Sequence, residues 1–437
     1  MERLMHYVWQ HRLVLAGDMV TTDGRRVEII DPGMLNRDAG PDFFNAKVRI
    51  GSDMWCGNVE MHVRASDWYK HGHDSDRAYD SVILHVVGAD DCSVSVDGGR
   101  LLPQMVMQCA PDFSERYRNM VDAPSERLAC FNELREVPKI YVSDCLTAMA
   151  FERLYEKSER ILTLFDRLDG NWPEAVYVTL ARALGFGLNS QAFEQLALAV
   201  PLRTLLKHRD NAEAIEGLLF GHAGLLPASL AEQDPRVQLM QREYRFMCHK
   251  FGLQPPAPIV WKMARTRPQN FPHRRIAALA AMVADGFAVA SYVSSICTLE
   301  EARSVFDDII LPYYWTRRFT FGPMGGVSMS RAFSRSSIDS LVINVVVPSM
   351  YAYGLRYGDE AMQRRAVELL EELPAERNTV TRLFEAAGVE CRDAFMSQAL
   401  IQLRRAYCEP RKCLYCRLGH RFLSHKAKYC PGGSLQI

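Results

Sequence analysis

The chain has 437 residues, and 52 Lys and Arg are balanced by 52 Asp and Glu. It is long enough for two or three domains, and its zero net charge means that any nucleic-acid surface must be local. No apolar stretch approaches the ~18 uncharged residues of a membrane-spanning helix, the N-terminus lacks the apolar run and cleavage site of a secretion signal, and the twelve cysteines are too scattered for a secreted disulfide scaffold, which predicts reduced thiols in a cytoplasmic protein with no membrane partner.

Residues 2–14 show helical spacing at Leu4, Val8 and His11. A first strand is expected at Val27–Ile30. Apolar and polar residues then alternate through Ala46, Val48 and Ile50, and again through Val59, Met61 and Val63. The Gly51-Ser52-Asp53 break between these runs predicts a hairpin. Asp42 opens one strand and Glu60 stands near the end of the other, so the pairing brings two carboxylates side by side. Hard divalent cations such as Mg²⁺ take one or two carboxylates and leave room for a substrate phosphate. The plainer reading is two ordinary surface acids on a hairpin.

The next segment, from Asp67 to Asp80, is polar and contains His71 and His73. His85 interrupts the apolar run Val82–Val87. A buried histidine is usually a hydrogen-bonded core residue. The sharper expectation is that His71, His73 or His85 lines the same pocket as Asp42 and Glu60, because His-x-His spacing can chelate zinc or manganese. Two short strands, Ser93–Val96 and Leu101–Gln108, are expected around an Asp97-Gly98-Gly99 turn.

Pro41-Asp42, the hairpin and Glu60-Met61-His62 resemble the PD-(D/E)XK nuclease superfamily over roughly residues 1–110. The resemblance implies that Asp42 and Glu60 hold Mg²⁺ or Mn²⁺, with the Met61 carbonyl as a third ligand. His62 stands where the family has lysine. Histidine can donate a hydrogen bond or act as a base, which leaves an active variant, a site for a different metal, or a decayed site. A subset of the family adds a histidine on the first helix, which His6 or His11 can match. That subset's Gln-x-x-x-Tyr motif is absent, although Tyr79 lies at about the right distance.

The middle of the chain reads as helices. Apolar residues recur every three or four positions from Phe151 to Leu168, and Pro173 marks a helix start. Further helices are expected at Ala175–Leu184, Ser190–Ala199, Leu202–His208, Asn211–Leu219, Ser337–Tyr353 and Glu360–Glu372. The Pro255-Pro256-Ala257-Pro258 cluster marks a boundary. Beyond it lies a basic, aromatic-bearing stretch with Lys262, Arg265, Arg267, Arg274 and Arg275. Basic side chains neutralise phosphates and aromatics stack on bases, so these five residues are the expected nucleic-acid contacts. A second such stretch runs from Tyr313 to Phe319.

At the C-terminus, Cys408, Cys413, Cys416 and Cys430 form a Cys-x4-Cys-x2-Cys-x13-Cys pattern, with His420 and His425 inside it. Two thiolates on a tight turn plus a partner pair complete a tetrahedron, so Zn²⁺ is expected, with a [4Fe–4S] cluster as the alternative. From Arg404 onward there are eight Lys and Arg and one acid.

These readings predict an α+β chain. A mixed-sheet, nuclease-like domain spans 1–112, and helical regions span 113–257 and 258–403. A small cysteine module occupies 404–437. The expected function is a metal-dependent phosphodiesterase acting on DNA or RNA. The alternative is a non-catalytic nucleic-acid-binding or scaffold protein with a decayed site. Over nearly its whole length the pattern is similar to an uncharacterised bacterial family, catalogued as a domain of unknown function and common in Bacteroidetes-type genomes. That likeness rests on Gly40-Pro41-Asp42-Phe43, Asn58 to His62, the stretch from Trp68 to Tyr79, Arg267 to Pro272 and the terminal cysteines.

Overall fold

A computed structural model describes the chain except residues 15–18, 37, 97–98, 109–110, 125, 228, 230–233, 255–257, 265, 326–327 and 425–437. The fold is α+β, with a mixed N-terminal sheet followed by a largely helical region. The chain divides into two compact units. One comprises Met1–Cys145, Leu383–Val389 and Leu403–Ile437, and the other comprises Leu146–Arg382 and Glu390–Gln402. The C-terminal segment therefore groups with the sheet. Its Cys413, Leu414 and Leu423 join the same apolar core as the N-terminal helix.

In the first unit, helix α1 (Glu2–Gln10) precedes strands β1 (Val27–Asp31), β2 (Met34–Leu35), β3 (Phe43–Ile50) and β4 (Asp53–Arg64). A short helix α2 (Asp67–Lys70), strand β5 (Val82–Ala89) and strand β6 (Gln104–Val106) follow. The sheet order is β1-β3-β4-β5-β6, with β2 also on β3. Pairs β1–β3 and β3–β4 are antiparallel, while β4–β5 and β5–β6 are parallel. The expected hairpin forms with Gly51 at φ 62°, a conformation that glycine adopts without a Cβ penalty. The expected Ser93–Val96/Leu101–Gln108 hairpin does not. It shrinks to one bridge, Ser95 to Leu101, while Gln104–Val106 pairs with β5. Residues Val82–Val87 are all buried, and a strand covered on both faces takes partners on both edges.

One irregularity shapes the site end of the hairpin. Pairing steps from Ala46–Gly57 to Phe43–Val59, three residues on β3 against two on β4. This is a β-bulge, which bends a strand and re-aims its side chains. Asn45 takes a left-handed φ of 56° there, and its N–H donates to Asn58 Oδ1 at 3.1 Å. Gly57 is obligatory, because a Cβ would lie 2.4 Å from Ile83 Cγ2 and 2.7 Å from the Ser81 carbonyl.

Strand alternation sorts the two faces of β4 and β5. Val59, Met61, Leu84, Val86 and Met105 pack with Leu4, Met5, Val8 and Trp9 of α1 in one core. Each fully buried side chain of this kind contributes roughly 1.5–3 kcal/mol. The register places Glu60 beside His85 and His85 beside Gln104. With His62 they form a buried polar stripe.

The second unit is helical among its described residues outside the loops. Ser190–Ala199 and Glu360–Glu372 coincide with their expected ranges. Asn171 caps Trp172–Leu184 by accepting the Glu174 N–H at 3.1 Å. Helical residues Arg335–Tyr357 widen to a π turn at Val342–Val346 just before Pro348. Proline has no N–H to return to the fourth carbonyl before it, and the wider turn relieves the clash. Among the described residues this is the one helix apolar and long enough to cross a membrane, but 67% of that stretch is buried in the protein, as in a core helix.

Candidate metal centre

Asp42 and Glu60 are tied together through main-chain donors. The Asp42 N–H donates to Glu60 Oε2 at 3.0 Å, and the Met61 N–H donates to Asp42 Oδ2 at 3.0 Å. His6, carried by α1, places Nε2 3.1 Å from Asp42 Oδ2. It is the first-helix histidine that joins the acids. His11 instead packs at a tilt against Tyr7 and His420.

On its other oxygen Glu60 meets the histidines. His73 Nε2 lies 3.4 Å from Glu60 Oε1, and His62 Nε2 lies 3.6 Å from the same atom. His71 Nδ1 is 3.1 Å from His62 Nε2. One ring nitrogen from each of His62, His71 and His73 falls within 4.8 Å of the others, a spacing that can hold a metal ion. Tyr79 stacks on His73 at 3.8 Å between centroids and fixes that ring. Burial, with Glu60, Asp76 and Asp42 nearby, pushes the Tyr79 phenol up to about 12. The loop after β4 thus supplies two nitrogens, the strand supplies a third, and Glu60 lies among them.

Hydrogen-bond accounting sets the protonation of this cluster. Gln104 Nε2 donates to Asp90 Oδ1 at 2.6 Å and to the Cys92 carbonyl at 3.1 Å. Its Oε1 must therefore accept, and His85 Nδ1 donates to it at 2.9 Å. His85 Nε2 is then a lone pair, and it accepts from His62 Nδ1 at 2.8 Å. The proton on His62 is thereby placed on Nδ1, and Nε2 is left bare toward His71 and Glu60. Metal-binding histidines characteristically donate their other nitrogen in this way. His85 is the donor's partner behind the site and does not line it.

Electrostatics agree with this assignment. Burial, with His85, His73 and His71 adding to it, holds His62 down to about 3. Burial also holds His85 down to about 4. Glu60 is 5% exposed, and burial raises its carboxyl pKa, with the Asp42 charge adding to the rise. Buried Glu60 beside half-buried Asp42, facing a His62 ring kept neutral by burial, would be relieved by one cation.

The expected nucleic-acid residues are not grouped here. Arg274 and Arg275 are buried, at 3% and 2% exposed, and this corrects the expectation that they contact phosphates. The Arg274 guanidinium donates to the carbonyls of Trp315 and Met329, and Arg275 donates to Ala332 O and Asn270 Oδ1. Arg275 also lies over Phe186 and Phe333. They are helix-entrance residues packed by their own aromatics and carbonyls. Lys262 and Arg267 are exposed, while Arg265 lies outside the described residues.

Of the C-terminal set, Cys408, Cys413 and Cys416 come together, while Cys430 and His425 lie outside the described residues. Cys130 joins them. As a lone cysteine 278 positions before Cys408, it carried no spacing signal. Gln104 was missed for the same reason, since the parallel pairing of β6 brings it to His85, and with it Asp90, just past β5, which accepts from Gln104.

No curated protein and no protein of solved structure matches the chain. Residues 2–379 match the family described as "Protein of unknown function (DUF2851)", and the chain belongs to that family.

Proposed function

We propose that the His6–Asp42–Glu60–His62–His71–His73 cluster is the centre of a metal-dependent phosphodiesterase acting on DNA or RNA. The observation that carries the reading is the position of Glu60, whose two oxygens face Asp42 on one side and the histidines on the other. Phosphodiesters as the substrate class rest on the likeness of Pro41-Asp42 and Glu60-Met61-His62 to the PD-(D/E)XK pattern. A mixed nitrogen and oxygen donor set suits Mn²⁺ better than Mg²⁺, which prefers oxygen alone.

In this reading Asp42 and Glu60 hold the ion, with the Met61 carbonyl beside them and His6 steadying Asp42. His62 serves as a nitrogen ligand. A base held near 3 by burial carries too little affinity for a proton to activate water near neutral pH. The ion, when bound, supplies charge to a phosphate oxygen and acidifies a water. His71 and His73 complete the nitrogen side, and Tyr79 keeps the His73 ring in register.

The test is cleavage of labelled single- and double-stranded DNA and RNA by the purified protein with Mg²⁺, Mn²⁺ or chelator. Mn²⁺-dependent cleavage that is lost in Glu60→Gln supports the reading. Binding without cleavage under every condition would instead favour a non-catalytic nucleic-acid-binding protein.

A further inference from the structure

Two consecutive guanidiniums lie in the second unit with no carboxylate to answer them. Arg274 and Arg275 belong to the first turn of the helix Pro272–Ala284 and are almost wholly buried. Their hydrogen-bond acceptors are all neutral, namely the carbonyls of Trp315, Met329 and Ala332 and the side-chain oxygen of Asn270. The rings beside them, Phe319, Phe186 and Phe333, are neutral too. Among the described residues no acid pairs with either, and the charge that acts on Arg275 is that of Arg274. Burial, with that neighbour adding to it, lowers Arg275 to about 9. A buried charge without a counter-charge is costly, and here there are two of one sign.

The pair also has donors to spare. A guanidinium carries five N–H groups, and each of these two spends two of them on the protein. Both Nε groups are buried without a hydrogen-bond partner among the described residues.

Both side chains line one cavity of about 330 Å³. Its other walls carry Gln269, Arg331 and the hydroxyls of Ser328, Ser330 and Ser337, and no acid among the described residues. The wall is held in place. The Leu311 N–H donates to Ser330 O at 2.8 Å and the Ala332 N–H to Ile309 O at 3.0 Å, around the bridge between Ile310 and Arg331. Arg274 and Arg275 grip the same segment at Met329 and Ala332. A ligand would therefore meet donors that are already ordered, which removes part of the cost of binding.

The lining selects the chemistry. Two fixed positive charges call for a dianion, and guanidinium forks with hydroxyls suit phosphate oxygens. The volume is at the small end of the ~300–1,000 Å³ of small-molecule pockets. The guanidiniums lie too deep for the internucleotide phosphates of a strand, in keeping with their absence from a nucleic-acid surface.

We propose that this cavity binds a small phosphate dianion, free or at the end of a small monoester, held by Arg274 and Arg275 behind a rim that includes Gln269 and Ser330. The site is independent of the phosphodiesterase reading.

The experiment is thermal melting and titration calorimetry of the full chain with inorganic phosphate, at constant ionic strength and with chelator present so that no metal centre takes part. The expected result is a saturable rise in Tm, as mass action requires of a ligand of the folded state, with one phosphate per chain. Gln269→Glu sets a carboxylate in the cavity wall. It should raise the Tm without phosphate and weaken phosphate binding by about tenfold or more, the worth of one charge-assisted contact. Arg275→Met should lose the response, and if it does not fold, Gln269→Glu still decides. Glycerol phosphate in place of phosphate separates the two sources, since tighter binding of either one supports the site and names the ligand. No saturable response in the wild type, an unchanged response in Gln269→Glu, or displacement of phosphate by an oligonucleotide lacking terminal phosphates would each overturn the proposal.

Discussion

His62 Nδ1 and His85 Nε2 stand 2.8 Å apart, buried between the sheet and the loop after β4. Because His85 spends its own proton on Gln104, this bond makes His62 the donor and bares its Nε2 toward Glu60. His62 Nε2 is thus bared by residues one and two contacts away from its ring.

That relay can be cut without touching the ligands. Gln104→Leu or His85→Phe should weaken Mn²⁺ binding about 10–100-fold, the usual effect of losing the partner that orients a metal-ligating histidine. Titration calorimetry on the variants reads this directly. Unchanged affinity in both would show that the relay does not organise the site.

Glu60→Gln separates binding from stability. Burial raises the Glu60 pKa in the folded protein, so the unfolded chain ionises first as pH rises. The metal-free protein therefore loses stability as pH rises through the unfolded value toward the folded one. Glutamine removes that penalty and can still accept the Asp42 N–H. The metal-free variant should melt at or above the wild-type temperature at pH 7, while the Mn²⁺-induced rise in Tm disappears. Asp42→Ala should likewise abolish the metal response.

Acid lability should come in part from His273. It is buried against Phe220, Trp315 and Phe321, and burial lowers it to about 4. The unfolded chain protonates below about 6.5 while the folded one does not, so stability is lost as pH falls from about 6.5 to 4. The loss amounts to ~3 kcal/mol. His273→Phe should flatten that part of the stability curve, as read by urea melts between pH 4 and 7.

The buried arginines give an outcome opposite to that expected of a nucleic-acid surface. Arg274→Ala leaves the carbonyls of Trp315 and Met329 unpaired, at a cost of about 2–3 kcal/mol, and should leave nucleic-acid affinity unchanged. Denaturant melts and filter binding on the same variant separate the two. A loss of salt-sensitive binding with normal stability would restore the surface reading.

Much of the sheet and the helices was legible. Alternation along Ala46–Ile50 and Val59–Val63 and the Gly51-Ser52 break are local signals, and they specify the β3–β4 hairpin that carries Asp42 and Glu60. Three-to-four spacing similarly announced Ser190–Ala199 and Glu360–Glu372. The bulge at Asn45 was not legible, because register is a property of two strands together.

By itself the sequence determined the α+β order, the pairing of two acids on one hairpin, a histidine-bearing loop after it and a cysteine-rich end. Only the tertiary structure decided which groups meet. Parallel addition of β6 brought Gln104 to His85, packing of α1 brought His6 to Asp42, and the first unit's core took in Cys130 beside Cys413. Burial likewise turned Arg274 and Arg275 from surface cations into core residues. The physical reason is common to all four. Periodicity records how a segment folds on itself, whereas long-range contacts and desolvation depend on partners tens or hundreds of positions away.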